Sequence, residues 1–160
     1  MSKLIELGEV IQICKEKRSG SGDCVDSPQQ GYLPLIDVSF LKTGRIKKWT
    51  NGHNCHHCSG GDILISAVGT IGVIGRGIEG FIGGSVAKIS SSHLGNDYLF
   101  WLLKSQEENL KKPRNEAMIP QIDWKFLKEQ KIPLPSLDDQ QKIVAPLVLL
   151  DAEGGAQSLT

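Results

Sequence analysis

Net charge is what this chain lacks: 18 lysines and arginines stand against 18 aspartates and glutamates, a formal total of zero at pH 7. Nucleic-acid-binding domains usually carry a basic excess, so the total by itself argues against such a partner. Long apolar runs are missing too, and no window approaches the roughly 18 apolar residues of a membrane span. The opening Met1-Ser2-Lys3-Leu4-Ile5-Glu6 brings in an acid too early for a secretory signal peptide, so a cytoplasmic location is expected. Four cysteines without an export signal suggest a reducing compartment, where thiols are read before disulfides. No internal repeat or low-complexity linker divides the chain. Its 160 residues, 39% hydrophobic and 22% charged, suit one soluble globular domain and exclude a disordered acidic or basic tail.

Catalytic signatures are also missing. The stretch Gly69-Thr70-Ile71-Gly72 invites comparison with phosphate loops, but no Gly-Lys pair follows and the P-loop order fails. A Gly-x-Gly-x-x-Gly spacing runs through Gly75, Gly77 and Gly80. It carries Glu79 and leads into Phe81-Ile82 instead of a helix N-terminus. Ser66 lacks an elbow motif, His93 has no evident acid partner, and no carboxylate pair stands out. Nothing here recommends an enzyme.

Glycine, in contrast, is abundant. Eighteen are present, and Gly69, Gly72, Gly75, Gly77, Gly80, Gly83 and Gly84 crowd one stretch, as short strands joined by tight turns require. Strands are expected at Ile11–Cys14, Leu33–Val38, Asp62–Ser66, Val73-Ile74, Phe81-Ile82 and Val86–Ile89, with a loop from Lys15 to Gly31. Helices are expected only after them. The first is Tyr98–Ser105, capped by Asn96 or Asp97 and continuing toward Pro113; a short one follows behind Asp123. The last starts at Ser136 or Asp138, with Ile143, Val144, Leu147 and Leu150 on one face and Pro146 expected to kink or end it. Strands first and helices later favour α+β over a doubly wound sheet.

Two clusters stand out. In His53-Asn54-Cys55-His56-His57-Cys58 the Cys-x-x-Cys spacing would let two thiolates share a zinc ion. Cys14 and Cys24 lie far upstream and form no second half-site, so a polar loop is the plainer reading and Cys55 with Cys58 a minor metal alternative. A redox reading needs a helix N-terminus, and the motif precedes a strand instead.

The second cluster is one of charge. No acid occurs between Asp37 and Asp62, a window holding Lys42, Arg45, Lys47, Lys48, Trp49, Asn51, His53, Asn54, His56 and His57. Cations neutralise phosphates, and amides and arginine can read base edges. A solvated hairpin with a few lysines would look the same. Lys111, Lys112, Arg114 and Asn115 form a smaller basic group that could touch phosphate, or only complement a helix C-terminus.

Several segments resemble the specificity subunits of type I restriction-modification systems. They are Leu33–Ile46, with its proline-led strand, Ser39-x-Leu41 and Gly44-x-Ile46; the strand and glycine turn Gly61–Gly72; and Ile119-Pro120-Gln121-Ile122 followed by Leu127. Ile132-Pro133-Leu134-Pro135-Ser136-Leu137-Asp138-Asp139-Gln140-Gln141-Lys142-Ile143-Val144 is similar to the signature that closes a target-recognition domain and opens the family's conserved helix. The matches keep their order over residues 4 to 150. The resemblance implies a glycine-rich, mostly antiparallel or mixed α+β recognition domain at 1–135, the start of a spacer or dimerisation helix at 136–151, and a flexible tail at 152–160. It implies a double-stranded DNA reader without catalytic residues. Partner methyltransferase and restriction subunits would supply S-adenosylmethionine, magnesium and the chemistry. A family subunit has two recognition domains, so one domain implies a half-subunit or truncated subunit completed by a second copy or another chain, with Ile143, Val144, Leu147 and Leu150 as the pairing face. A degenerate remnant and a zinc-stapled interaction module are the alternatives.

Overall fold

The structure, a computed structural model, describes residues 3–15, 23–114 and 118–158, with side chains described as far as residue 150. It is α+β. Strand β1 (Leu4–Glu6) leads through a 3-10 turn at Leu7–Glu9 into β2 (Ile11–Cys14); β3 (Cys24–Val25) and β4 (Leu33–Ile36) precede helix α1 (Val38–Thr43). Then come β5 (Trp49–Thr50), β6 (His56–Cys58), β7 (Ile63–Ser66), β8 (Ile74–Arg76), β9 (Gly80–Ile82) and β10 (Val86–Ser91). Helices α2 (Asn96–Ser105), α3 (Glu107–Leu110) and α4 (Trp124–Lys128), strand β11 (Lys131–Pro133) and helix α5 (Leu137–Ser158) complete it. Among the described residues three sheets form: an antiparallel β1-β11 ribbon, an antiparallel β2-β10-β7-β8 sheet, and a mixed β3-β5-β4-β9-β6 sheet whose β4-β9 pair is parallel.

β7 is buried at every position because both of its faces are covered. Ile63 and Ile65 join Leu99 and Leu103 of α2 in the larger core, while Leu64 turns to Ile36, Ile82 and Val86 in a second, smaller one. Each such side chain contributes about 1.5–3 kcal/mol on burial. The smaller core is closed by Val38, Phe40 and Leu41 of α1, and so depends on a helix that sequence reading does not anticipate and whose first residue, Val38, it gives to a strand.

That helix has a local cause. The Asp37 carboxylate accepts a hydrogen bond from the Phe40 N–H at 2.9 Å, and Gly44 ends the helix in the left-handed region at φ 76°. Helix therefore begins well before the glycine-rich strands end, against expectation, and β4 stops at Ile36. The expected Lys15–Gly31 loop contains the short strand β3.

Other helix ends agree more closely. Asp123 caps α4 through the Phe126 N–H at 3.0 Å, and Ser136 accepts from the Asp139 N–H at 3.2 Å where α5 starts. α2, however, starts at Asn96 behind Gly95, which has no side-chain oxygen; neither Asn96 nor Asp97 is its cap. The Gly95 N–H is instead satisfied from a distance by Gln140 Oε1 of α5, at 2.7 Å. Pro146 does not end α5, which continues to Ser158 through the region expected to be a tail. Contacts of Val144 and Leu147 with α2 hold the helix on both sides of the missing N–H.

Candidate nucleic-acid interface

The window from residue 38 to 61 is free of acid in sequence but not in space. Strand pairing of β5 with β3 brings Asp23 and Asp26 beside it. Lys48 Nζ meets Asp26 Oδ1 at 2.9 Å, and this hydrogen bond and the carboxylate charge hold its ammonium above the ordinary lysine range. Asn51 folds the turn that follows. Its Oδ1 accepts from the His53 N–H at 3.0 Å and the Asp23 N–H at 3.1 Å, while Nδ2 donates to Asp23 Oδ2 at 3.3 Å. His57 Nε2 lies 2.7 Å from Glu79 Oε1, and its ring meets Phe81 edge-on. Trp49 is half-buried between Val25 and Pro34, and His56 is half-buried in β6. Arg45, Lys47, His53 and Asn54 are exposed, Asn54 in the left-handed turn conformation.

Lys42, on the last turn of α1, takes a different course. Its Nζ donates to Thr70 Oγ1 at 3.3 Å, reaching the glycine turn between β7 and β8. Together with Leu41, Gly69, Thr70, Ile71, Lys104, Glu107, Lys111 and Pro120, it lines a groove of about 610 Å³. The smaller basic group therefore shares a site with the larger one, although about 70 residues separate Lys42 from Lys111 in the chain.

Glu107 organises the far wall. Its Oε2 accepts from the Ile74 N–H at 2.8 Å and from Lys104 Nζ at 3.1 Å, and its Oε1 is 3.6 Å from Lys111 Nζ. Burial opposes its ionisation, but the Ile74 N–H and the two lysines outweigh burial and hold the carboxyl below the usual glutamate range. Lys112 is exposed, whereas Arg114 is committed to packing, with its guanidinium 3.5 Å from the centre of the Phe126 ring. Asn115 lies outside the described residues. Thr70, Lys104 and Glu107 were not singled out from sequence. The i, i+3 and i+4 spacing of Lys104, Glu107 and Lys111 could have revealed a helix-face network, whereas Thr70 was marked only as part of the Gly69–Gly72 stretch, whose phosphate-loop order fails.

The cysteine and histidine cluster separates on folding. Among the described residues, no three or more His, Cys, Asp or Glu side chains are grouped so as to hold a metal ion. Cys58 is fully buried in the smaller core, where burial and the nearby Asp62 push its thiol up to about 12; Cys55 is only half-buried. A zinc site needs further ligands beside Cys55 and Cys58, and the described residues bring no such group together, so the zinc-staple alternative has no support there. The thiol has a measurable consequence. Above its ordinary value of 9.0 the unfolded chain ionises Cys58 while the folded chain keeps it protonated, so stability falls as pH rises toward 12. Urea midpoints at about pH 8 and about pH 10.5 should differ more in the wild type than in Cys58→Ala. Equal differences would refute this.

A model of the type I restriction modification DNA specificity domain matches residues 2–155. The chain belongs to this family. It is 30% identical over 145 residues to the MjaVIII specificity subunit, a type I restriction enzyme component of Methanocaldococcus jannaschii, covering 88% of this chain and 34% of that relative. The chain thus spans about one third of the curated relative it matches. Among solved structures, a chain of a type I R-M system, studied for complex assembly and conformational transition, superposes with a TM-score of 0.73 at 23% identity, over 97% of this chain and 39% of the other. The HsdS subunit of Thermoanaerobacter tengcongensis gives 0.66 at 24% identity, over 96% and 38%. The α+β fold expected from sequence is the fold of these specificity subunits.

In this specificity domain the expected pairing face on α5 divides in two. Val144 is buried and Leu147 half-buried against Tyr98, Trp101 and Leu102 of α2, whereas Ile143 and Leu150 are exposed, at 53% and 63%. α5 packs on α2. Among the described residues, no helix is long and apolar enough to cross a membrane.

Proposed function

We propose that this chain reads double-stranded DNA as a single target-recognition domain of a type I restriction-modification specificity subunit. It directs a partner adenine methyltransferase subunit, and through it a restriction subunit, to one half of a bipartite site. The observation that supports this best is the convergence of two basic segments, at Lys42 and at Lys104 and Lys111, on one groove in a chain of the DNA specificity family. In this reading the lysines there, with Arg45 and Lys47 nearby in sequence, dock phosphates and set the register, and Asn54 and His53, both exposed, read base edges. A zero net charge does not oppose this, because the acids nearest the window are engaged with Lys48, Asn51 and His57.

In this reading the chain has no catalytic residue. Methyl transfer, DNA cleavage, S-adenosylmethionine and magnesium belong to the partner subunits, and the assembly works in the cytoplasm. The exposed stripe of Ile143 and Leu150, continued by Leu147, meets a methyltransferase subunit, a second copy, or the other half of a longer specificity subunit.

Band shifts with the methyltransferase subunit present are the test. With six to ten phosphate contacts, affinity falls by about 10³–10⁵ between about 50 and 200 mM salt. A single specific sequence should also survive competition by random DNA. No shift at low salt with the partner present would end the proposal.

A further inference from the structure

The groove contains more than a generic basic surface. Lys42 is held to the Thr70 hydroxyl, and the turn carrying Thr70 rests directly on the end of α3: a Cβ on Gly72 would lie 2.5 Å from the Leu110 carbonyl carbon and the Lys111 nitrogen. Lys42, Thr70 and Lys111 are therefore linked through one backbone contact, across a single opening. We infer that Lys42 and Lys111 close on one and the same phosphodiester of the DNA backbone, with the Thr70 hydroxyl between them. The inference rests on the DNA reading above and deepens it.

The chemistry matches one anion. A hydroxyl that accepts from Lys42 still has its own proton to donate. Each ammonium carries three donors, and Lys111 meets Glu107 and Glu108 only at 3.6 and 3.8 Å, beyond hydrogen-bond length, so those donors remain available. The Glu107 carboxylate would repel a phosphate if it faced the opening with idle lone pairs. It is instead largely buried, at 16% exposure, with Oε2 bonded by the Ile74 N–H and Lys104 and with Lys111 as the cation beside Oε1, at 3.6 Å. Three lysines against that one carboxylate leave the groove cationic. Lys42, Thr70, Lys111 and Pro113 of its lining are exposed.

Salt dependence counts neutralised phosphates, which makes the clamp testable. Double-stranded DNA carrying the recognised sequence is titrated against the complex of this chain with its methyltransferase subunit, for the wild type, Lys42→Gln, Lys111→Gln, the double variant and Lys47→Gln. Two lysines on one phosphate predict that each single groove variant loses less than about 0.9 from the slope of log K against log salt, and the double variant about 0.9 in all. Across a fourfold rise in salt, the double variant then loses about 3.5-fold less affinity than the wild type. Combining Lys47→Gln with Lys42→Gln should add their separate effects. These positions are exposed, so unchanged thermal midpoints will confirm that the variants fold. A double-variant loss of about 1.8 would mean two separate phosphates and overturn the clamp, as would an unchanged slope. A wild type that does not bind DNA would overturn the DNA reading itself.

Discussion

Replacing Gly72 by alanine should destabilise the protein by about 3 kcal/mol and close the groove to DNA. Two costs combine. Gly72 has φ +80°, where a side chain costs about 1–2 kcal/mol. The added methyl would also meet Leu110 and Lys111 backbone atoms at 2.5–2.6 Å, and backbone at a helix end cannot rotate away as a side-chain tip can. Overpacking of this kind costs about 1–3 kcal/mol. At roughly 2–4 °C per kcal/mol for a chain of this size, the thermal midpoint should drop by about 6–12 °C. Gly69, in the same turn, supplies the control: its φ is +78°, but nothing lies within 4 Å of its Cβ position. Gly69→Ala should therefore cost only the conformational part, about 1 kcal/mol. Equal losses in the two variants would show that the close approach of turn and helix is not what requires glycine at 72.

Gln140→Met should be nearly as costly, although methionine has almost the same shape. The Gln140 side chain is 2% exposed and satisfies three backbone groups: Oε1 accepts from the Gly95 N–H at 2.7 Å, and Nε2 donates to Pro135 O at 3.0 Å and His93 O at 3.4 Å. Methionine fills the space but leaves all three without that partner. One is the N–H at the start of α2, where no side-chain cap exists to replace it. Each buried group left unpaired costs about 1–3 kcal/mol, and partial access of water to the two carbonyls places the total near 3 kcal/mol. Gln140→Glu should fare no better, since it sets a buried carboxylate against two carbonyl oxygens. Guanidinium denaturation of the three proteins decides the matter. A methionine variant within about 0.5 kcal/mol of wild type would mean that the amide contributes packing alone.

Glutamine 140 also shows how sequence reading and structure divide the work. Its place in the Ile132–Val144 segment helped to identify the family, but that segment does not reveal that the side chain caps a helix 45 residues earlier. Caps supplied by a neighbouring side chain are legible at Asp123 and Ser136, whereas the cap expected at Asn96 or Asp97 fails because Gly95 holds that position. The same signal at Asp37, with Gly44 seven residues on, is masked by the apolar run Leu33–Val38, which reads as one strand. The basic window was legible as a charge pattern. Its partial neutralisation was not, because Asp23, Asp26 and Glu79 come from segments joined to it only by strand pairing and turns.

By itself, the sequence determined the α+β class, the strand at Asp62–Ser66, the glycine-punctuated turns and, through four ordered motifs, the family. These rest on local pattern: periodicity, caps, turn residues and spacing need no partner from elsewhere in the chain. Tertiary structure alone decided which cations face one another. It sent Lys48 to Asp26 and Arg114 onto Phe126, buried Cys58 in the smaller core, and brought Lys42 and Lys111 to one groove beside a turn that requires glycine at 72. The zero net charge is an example of the same division. A sum over the chain is blind to distance, whereas electrostatic attraction in water fades within about 10 Å, so the arrangement of charges and not their total decides what a surface can hold.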